Sequence, residues 1–258
     1  MSNIHSSAII DKSSIIGDNV TIGAHCVIEG NVKISNNNII YPSVFISGNT
    51  DIDEGNKIFP FSSIGAIPQD LKFKNENSKL IIGKNNTIRE HCTFNLGTEG
   101  GGMRTEIGNN SLFMAGVHVA HDCIVKDNVI LANQVTLGGH VSIDKYAVLG
   151  GLSAVHQFCR IGTLAMIGGM SAVENDVIPY GLAIGNRAKL TGINIIGLRR
   201  SNFQNKQIKE FKEIVEKLFV KKIKSVDAEI ANKNSLVKDL LDFISKESSR
   251  GLCQYNEK

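Results

Sequence analysis

The stretch IHSSAIIDKSSIIGDNVTIGAHCVI, residues 4–28, has isoleucine at every sixth position. The same phase continues unbroken to residue 64 through Ile4, Ile10, Ile16, Ile22, Ile28, Ile34, Ile40, Ile46, Ile52, Ile58 and Ile64. It returns at residues 82–94, slips by one residue, and continues in steps of six from Ile107 to Val173. Neither the 3.6-residue period of an α-helix nor the two-residue alternation of a β-strand produces a strict period of six.

A period of six predicts an all-β solenoid, a left-handed parallel β-helix built from hexapeptide repeats. Each coil has three short strands, each strand contributes one inward aliphatic side chain, and 18 residues close the coil. A coil buries its apolar side chains only by stacking on its neighbours. We therefore expect one continuous core along the solenoid.

Two segments interrupt the period. Residues 65–79 (GAIPQDLKFKNENSK) are polar, and residues 96–105 (LGTEGGGMRT) are rich in glycine and contain the one-residue slip. Both are predicted to be loops that leave the coil. Long loops in compact repeat domains are often functional, although tolerated surface insertions are the alternative.

The pattern changes after Val173, where Pro179 and Gly181 mark the end of the repeat. Helical spacing follows from about residue 202. The apolar residues of the two predicted helical faces are Ile208, Phe211, Ile214, Val215, Leu218 and Phe219, then Leu236, Leu240, Leu241, Phe243 and Ile244. We predict a β-helix domain over residues 1–185 and a small helical domain over residues 186–258 that covers one end of the solenoid.

Composition indicates a globular protein, with 42% hydrophobic and 21% charged residues. The five cysteines show no CxxC spacing, which favours reduced, buried thiols and a cytoplasmic location. The N-terminus lacks the features of a signal peptide, and no run of 18 apolar residues predicts a membrane span. Residues 185–224 carry 11 lysines and arginines against 3 glutamates, which predicts an acidic partner or a phosphate-bearing ligand.

Residues 18 apart share one ridge of the solenoid, at the strand spacing of roughly 4.8 Å. His121, Gly139 and Gln157 are spaced in this way, as are Asp122 and His140. The ridge therefore offers a base, a carboxylate to orient it, and a backbone N–H that could stabilise an oxyanion.

Four of the seven histidines lie in the three segments of this ridge: His118, His121, His140 and His156. Two alternatives remain open at this point. The ridge could be a polar ladder that only solvates the surface, or His118, His121 and His140 could bind zinc.

The chain resembles the UDP-N-acetylglucosamine O-acyltransferase family, which performs the first step of lipid A biosynthesis. The resemblance spans essentially the whole chain. It is carried by IPQDLK at 67–72, HVAHDC at 118–123, ILANQVTLGGHVSI at 130–143, AVHQF at 154–158 and GNRAKLTGINIIGLRR at 185–200.

The resemblance implies a homotrimer with active sites in the clefts between subunits. The acyl donor would be a (3R)-3-hydroxyacyl chain on acyl carrier protein, and the acceptor would be UDP-N-acetylglucosamine. His121 would be the general base, Asp122 would orient it, and the Gly139 N–H would stabilise the oxyanion. No cofactor and no metal are implied, and we expect no nucleic-acid partner.

The resemblance also implies which residues bind the two substrates. The matching positions are Asp70, Lys72, His118, His140, Gln157, Asn194 and Arg200. Gly169 matches the residue that limits acyl-chain length, and a glycine there predicts a longer chain. The basic segment would dock the acidic carrier protein, with Arg199, Arg200, Lys206, Lys209 and Lys212 as candidates.

Other functions remain open. Many members carry a glutamate where this chain has Ile196 and an arginine where it has Ser201, which leaves a 3-amino UDP-sugar as an alternative acceptor. A coenzyme A-dependent acetyltransferase or the later N-acyltransferase of the pathway is a second alternative. That later enzyme normally has an extra N-terminal domain, whereas the repeat here begins at Ile4. A non-catalytic ice-binding solenoid would need threonine arrays, which are absent.

Overall fold

The computed structural model describes residues 2–220 and 234–256. The described strands form the three faces of a left-handed parallel β-helix. Sheet 1 contains β1 (Asn3–Ile4), β4 (Thr21–Ile22), β7 (Ile39–Ile40), β10 (Lys57–Ile58), β13 (Thr87–Ile88), β16 (Leu112–Phe113), β19 (Ile130–Leu131), β22 (Val148–Leu149), β25 (Met166–Ile167), β27 (Gly181–Ile184) and β28 (Lys189–Ile193). Sheet 2 contains β2 (Ile9–Ile10), β5 (Val27–Ile28), β8 (Phe45–Ile46), β11 (Ser63–Ala66), β14 (Thr93–Asn95), β17 (His118–Val119), β20 (Thr136–Leu137), β23 (Ala154–Val155) and β26 (Ala172–Val173). Sheet 3 contains β3 (Ile15–Ile16), β6 (Val32–Ile34), β9 (Thr50–Ile52), β12 (Lys79–Ile82), β15 (Arg104–Ile107), β18 (Ile124–Val125), β21 (Ser142–Ile143) and β24 (Arg160–Ile161).

The register confirms the predicted 18-residue coil, since Ile22 pairs with Ile40 and His118 pairs with Thr136. Most strands are two residues long, and a tight corner follows each of them. From Asn19 onward, one residue at most corners adopts the left-handed conformation, including Asp122 (φ 59°), His140 (φ 61°) and Phe158 (φ 67°). These three residues lie 18 apart and form one column at the corner between sheets 2 and 3.

The buried core consists of the row of apolar residues that are spaced six positions apart. From Ile22 to Ile64 each isoleucine of the row has at most 1% of its surface exposed, and the later row is buried from Ile107 to Val173. The first coil differs from the expectation, because Ile4 is 43% exposed and Ile10 and Ile16 are only half-buried. A first coil has a stacking partner on one side only, so its inward side chains stay partly open to solvent.

Both predicted interruptions are loops. The first insertion, residues 67–78, joins β11 to β12, and the second insertion, residues 96–103, joins β14 to β15 and includes a 3₁₀-helix at Glu99–Gly101. Each insertion leaves a strand of sheet 2 and enters a strand of sheet 3. Both therefore lie at the corner that also carries His121.

The C-terminal segment packs on the last coils. β27 and β28 pair antiparallel, and α1 (Ile195–Arg200), α2 (Asn205–Phe219) and α3 (Ser235–Ser245) follow. The two amphipathic helices are confirmed, whereas α1 was not predicted. The Tyr180 hydroxyl donates to Asp239 of α3, and a partly buried Arg160–Asp176 ion pair of 2.7 Å lies beside the Phe243 ring of the same helix. The domain boundary between residues 185 and 186 stays a prediction.

All five cysteines belong to the described part of the chain, and each thiol is free and buried, as predicted. Among residues 2–220 and 234–256, no helix combines the length and apolar character that crossing a bilayer requires.

Candidate active site

The centre of the site is a hydrogen-bonded pair at the corner after β17. The Nδ1 atom of His121 lies 2.8 Å from Oδ2 of Asp122. Because a carboxylate only accepts, the neutral ring carries its proton on Nδ1 and leaves the Nε2 lone pair free. The His121 side chain is 13% exposed and that of Asp122 is fully buried. This is the arrangement of an oriented general base.

The second insertion holds the buried carboxylate in place. The Thr98 N–H donates to Asp122 Oδ1 over 2.8 Å, and the Thr98 hydroxyl donates to Oδ2 over 2.6 Å. The Asp122 N–H in turn donates to the Thr105 hydroxyl over 2.8 Å. Sequence reasoning missed both threonines. The glycine-rich composition of the insertion was the only sequence signal that pointed to this segment.

Two glycines allow the pair to pack closely. A Cβ at Gly139 would lie 2.6 Å from Nε2 of His121, so only glycine lets the backbone approach the reactive nitrogen. Gly139 is buried, and its N–H makes no hydrogen bond to any residue in the described ranges. A Cβ at Gly101 would lie 1.9 Å from Cγ of Asp122. The second insertion therefore lies directly against the carboxylate.

His118 and His140 flank the base. Nδ1 of His118 lies 2.7 Å from the Thr93 hydroxyl, and the His140 ring stacks on Phe158 with centroids 4.3 Å apart. Burial lowers the pKa of His118 below its ordinary value of 6.5, and nearby His121 lowers it further. Burial also lowers the pKa of His140, although the Asp122 carboxylate opposes that shift. Both rings are therefore neutral near pH 7.

Three more predicted residues lie at the same corner. Asp70 accepts from the Lys72 N–H over 3.0 Å, and its charge acts on the pKa of His140. The Lys72 side chain is exposed. Gln157 is exposed, and its carbonyl accepts from Nε of Arg250 over 2.8 Å.

Two predicted residues, Asn194 and Gly169, lie at other corners of the same chain, and a third, Arg200, lies on α1. Asn194 caps α1 through Gly197 N–H (2.9 Å) and donates to the carbonyl of Leu164 (2.9 Å), which lies between sheets 3 and 1. Arg200 is exposed at the end of α1. Gly169 lies between β25 and β26, at the corner between sheets 1 and 2. One chain therefore does not bring Asn194 or Gly169 to the corner that carries His121.

The family model described as UDP-N-acetylglucosamine O-acyltransferase, domain 2, matches residues 176–253, and a bacterial transferase hexapeptide model matches residues 104–139. A relative from Aliarcobacter butzleri, named acyl-[acyl-carrier-protein]–UDP-N-acetylglucosamine O-acyltransferase, is 50% identical over 248 residues, which cover 95% of each chain. The relative of the same name from Campylobacter concisus is 41% identical over 99% of this chain and 94% of its own. The chain belongs to the UDP-N-acetylglucosamine O-acyltransferase family.

Solved structures of UDP-N-acetylglucosamine O-acyltransferases agree with this assignment. The Acinetobacter baumannii enzyme superposes with a TM-score of 0.91 at 39% identity, over 97% of this chain and 99% of that one. The Campylobacter jejuni enzyme gives 0.88 at 38% identity, over 98% of this chain and all of the other. Membership of an enzyme family excludes the non-catalytic solenoid considered above.

In this O-acyltransferase, two competing chemistries fit the site poorly. Ligand atoms of His121, Asp122 and His140 lie within 4.8 Å of one another. Asp122 already accepts three hydrogen bonds, which leaves about one lone-pair site of its carboxylate for a metal ion. The neighbouring Cys123 thiol is buried, and burial raises its pKa to about 12, so a thiolate nucleophile is disfavoured.

Proposed function

We propose that this chain transfers a (3R)-3-hydroxyacyl group from acyl carrier protein to the 3-hydroxyl of UDP-N-acetylglucosamine, as the first step of lipid A biosynthesis. One observation carries the proposal. The His121–Asp122 pair of 2.8 Å lies directly beside buried Gly139, whose N–H has no hydrogen-bond partner within residues 2–220 and 234–256. A base and an oxyanion donor on adjacent coils are what acyl transfer to a hydroxyl requires. The names of the relatives support the two substrates.

His121 acts as the general base. Its Nε2 takes the proton of the sugar 3-hydroxyl while that oxygen attacks the thioester carbonyl. Asp122 stabilises the imidazolium that forms, and the Gly139 N–H donates to the oxyanion of the tetrahedral intermediate. The intermediate then expels the pantetheine thiolate, which recovers the proton from His121. A thioester is already activated, so these steps need no cofactor.

The remaining corner residues bind the acceptor. His118 and His140 are neutral, so they can hydrogen-bond the sugar without adding charge; Nδ1 of His118 already pairs with the Thr93 hydroxyl, which leaves its Nε2 for the acceptor. Asp70, Lys72 and Gln157 surround them on exposed or half-buried positions. Asp70 and Gln157 accept from hydroxyls and amides, and Lys72 pairs with phosphate.

A homotrimer explains why the other binding residues lie at different corners. We propose that Asn194, Arg200 and Gly169 complete the site of a neighbouring subunit. Exposed apolar side chains support this assembly, since Leu152 is 57% exposed and Met170 is 75% exposed at the corner between sheets 1 and 2. Side chains of this kind gain stability when a second copy covers them. Gly169 lies on this same corner, where it leaves room for a longer acyl chain.

The basic segment is the proposed docking surface for acyl carrier protein. Arg199, Arg200, Lys206, Lys209 and Lys212 are exposed, and of these Lys212 forms an ion pair with Glu216 at 3.8 Å. Three further basic residues of the segment, Lys221, Lys222 and Lys224, lie outside the described residues. An exposed basic surface raises the association rate with an acidic partner.

We place the reaction in the cytoplasm. The five free thiols are all buried, and unpaired cysteines in this number fit a reducing compartment.

The proposal is tested with purified protein, 3-hydroxyacyl carrier proteins of several chain lengths, and either UDP-N-acetylglucosamine or its 3-amino analogue. Mass spectrometry of the products should show an ester of UDP-N-acetylglucosamine, with the best rates for longer chains. Preference for the 3-amino analogue would mean that the protein forms an amide and not an ester. Absence of product with both acceptors, or zinc bound at one ion per chain, would overturn the proposal.

A further inference from the structure

A single carboxylate joins the two insertions of the solenoid. Oε2 of Glu76, in the first insertion, accepts from the Lys74 N–H over 2.7 Å. Its other oxygen, Oε1, accepts from the Glu99 N–H of the second insertion over 3.1 Å. The two insertions are separated in sequence by three strands, β12 to β14, and Glu76 bridges them directly.

Each end of this bridge leads to a residue of the proposed site. On one side, the first insertion folds around Asp70, which accepts from the N–H groups of Lys72 (3.0 Å) and Phe73 (3.0 Å). On the other side, Glu99 follows Thr98, the residue that holds the Asp122 carboxylate. A continuous series of hydrogen bonds and short backbone links therefore runs from the Asp70–Lys72 turn through Glu76 to His121.

We propose that Glu76 is a positioning residue that couples binding of the acceptor at the Asp70–Lys72 turn to the orientation of the His121–Asp122 pair. The inference rests on the proposed function, because it requires that the acceptor binds to the first insertion. When the acceptor fixes this insertion, Glu76 loses freedom and fixes the Glu99 N–H. Thr98 then holds Asp122 in one position. His121 is therefore correctly oriented once the acceptor has bound.

Glu76 is suited to this role at neutral pH. The hydrogen bond from its own backbone N–H is the main influence that lowers its pKa, and the N–H groups of Glu99 and Lys74 act in the same direction. Both oxygens are therefore available as acceptors. A glutamine at this position has one acceptor oxygen and an NH₂ group that cannot accept. Glu76→Gln can thus keep one of the two bonds and not both.

Steady-state kinetics of Glu76→Gln and of the matched exposed control Glu29→Gln test the inference. We expect Glu76→Gln to lower kcat about tenfold, as the loss of one charge-assisted hydrogen bond predicts, and to raise KM for UDP-N-acetylglucosamine. Glu29→Gln should match the wild type. An increase in KM with unchanged kcat would reduce Glu76 to a local support of the first insertion and overturn the coupling.

The Thr98→Val background separates coupling from simple loss of structure. If Glu76 acts through the Thr98 hydroxyl, Glu76→Gln should lower kcat less than about twofold in that background, because the bond from this hydroxyl to Asp122 is already lost. The same tenfold loss in both backgrounds would contradict the inference. Absence of transfer activity in the wild-type protein would instead refute the proposed function, so the two failures are distinguishable.

Hydrogen exchange on the wild-type protein gives a second test that needs no variant. Adding UDP-N-acetylglucosamine without a donor should slow amide exchange of residues 98–101 as well as of residues 70–74. Protection confined to residues 70–74 would overturn the coupling.

Discussion

At the scale of single residues, Asp122 determines whether the proposed base can work. Its side chain is fully buried, and an ionised carboxylate is stable there only with several hydrogen bonds. Thr98 supplies a backbone and a hydroxyl donor, and His121 supplies the third. Thr98 therefore supports catalysis indirectly, because its side chain holds Asp122 and does not contact the reacting atoms.

Replacing Thr98 by valine keeps its size and its N–H but removes the hydroxyl. We expect kcat to fall by about 10- to 100-fold, because a hydrogen bond to a charged group contributes about 1.5–3 kcal/mol. Thr98→Ser keeps the hydroxyl and should retain most of the wild-type rate. Equal rates for the two variants in steady-state assays would show that the hydroxyl does not support Asp122.

The two flanking histidines predict how stability depends on pH. Burial lowers the pKa of His118 and of His140 below 6.5, so the unfolded chain binds protons more readily than the folded protein. The contribution of these neutral rings to the free energy of unfolding is therefore complete above pH 6.5. It is lost as the pH falls through their lower, folded-state pKa values. The free energy of unfolding measured with urea should decrease from pH 7.5 to pH 5, and this decrease should be smaller in His118→Asn. An unchanged pH dependence in His118→Asn would contradict the assignment.

Residues of the regular coils could be found from the sequence, and residues of the insertions could not. His121, Gly139 and Gln157 lie 18 apart, and stacking of coils turns that spacing into proximity. Thr98 lies 24 residues before Asp122, outside any multiple of the coil, because the second insertion breaks the register. Its contact with Asp122 depends on how the loop folds back, which periodicity does not encode.

At the scale of elements, the second insertion acts as a support for the catalytic pair. Gly101 ends its 3₁₀-helix and lies against the Asp122 carboxylate, where a Cβ would come within 1.9 Å of Cγ. Gly100, its neighbour in the same turn, would place a Cβ in open space.

These two glycines form a matched pair of variants. Gly101→Ala should displace Asp122 or the loop and lower kcat by about 100-fold, the effect of a misplacement of about 1 Å. Gly100→Ala should keep wild-type kinetics. Circular dichroism and kcat measured on both proteins check the prediction, and comparable losses in the two variants would argue against a specific contact.

The sequence predicted neither the antiparallel strand β28 nor the helix α1. Six residues are too few to show a 3.6-residue period, and Gly197 lies inside the helix. The helix forms because Asn194 caps it and Leu198 is fully buried. Longer α2 and α3 have clear apolar faces and were predicted. Local packing outweighs propensity in so short a helix.

At the scale of the whole molecule, one chain contains only part of the proposed site. His121 lies between sheets 2 and 3, whereas Asn194 and Gly169 lie at the other two corners. The sequence could place each residue on a ridge of its own coil. In the proposed homotrimer, which ridges meet depends on how the subunits associate, and one sequence does not encode that directly.

Complementation between two inactive variants tests the shared site. His121→Ala and Arg200→Ala, co-expressed in equal amounts, should form mixed trimers in which about a quarter of the sites have both wild-type residues. The mixture should therefore regain about a quarter of the wild-type rate, while each variant alone stays impaired. A mixture no more active than the two variants separately would place Arg200 and His121 in the same chain's site or Arg200 outside it.

The turnover of His121→Ala shows whether His121 is the general base. With a 3-hydroxyacyl carrier protein and UDP-N-acetylglucosamine at saturating concentrations, kcat should fall by about 10²- to 10⁴-fold relative to wild type, the contribution of a general base. KM for the acceptor should change much less. A His121→Ala protein that turns over at a rate near that of the wild type would show that His121 is not the general base.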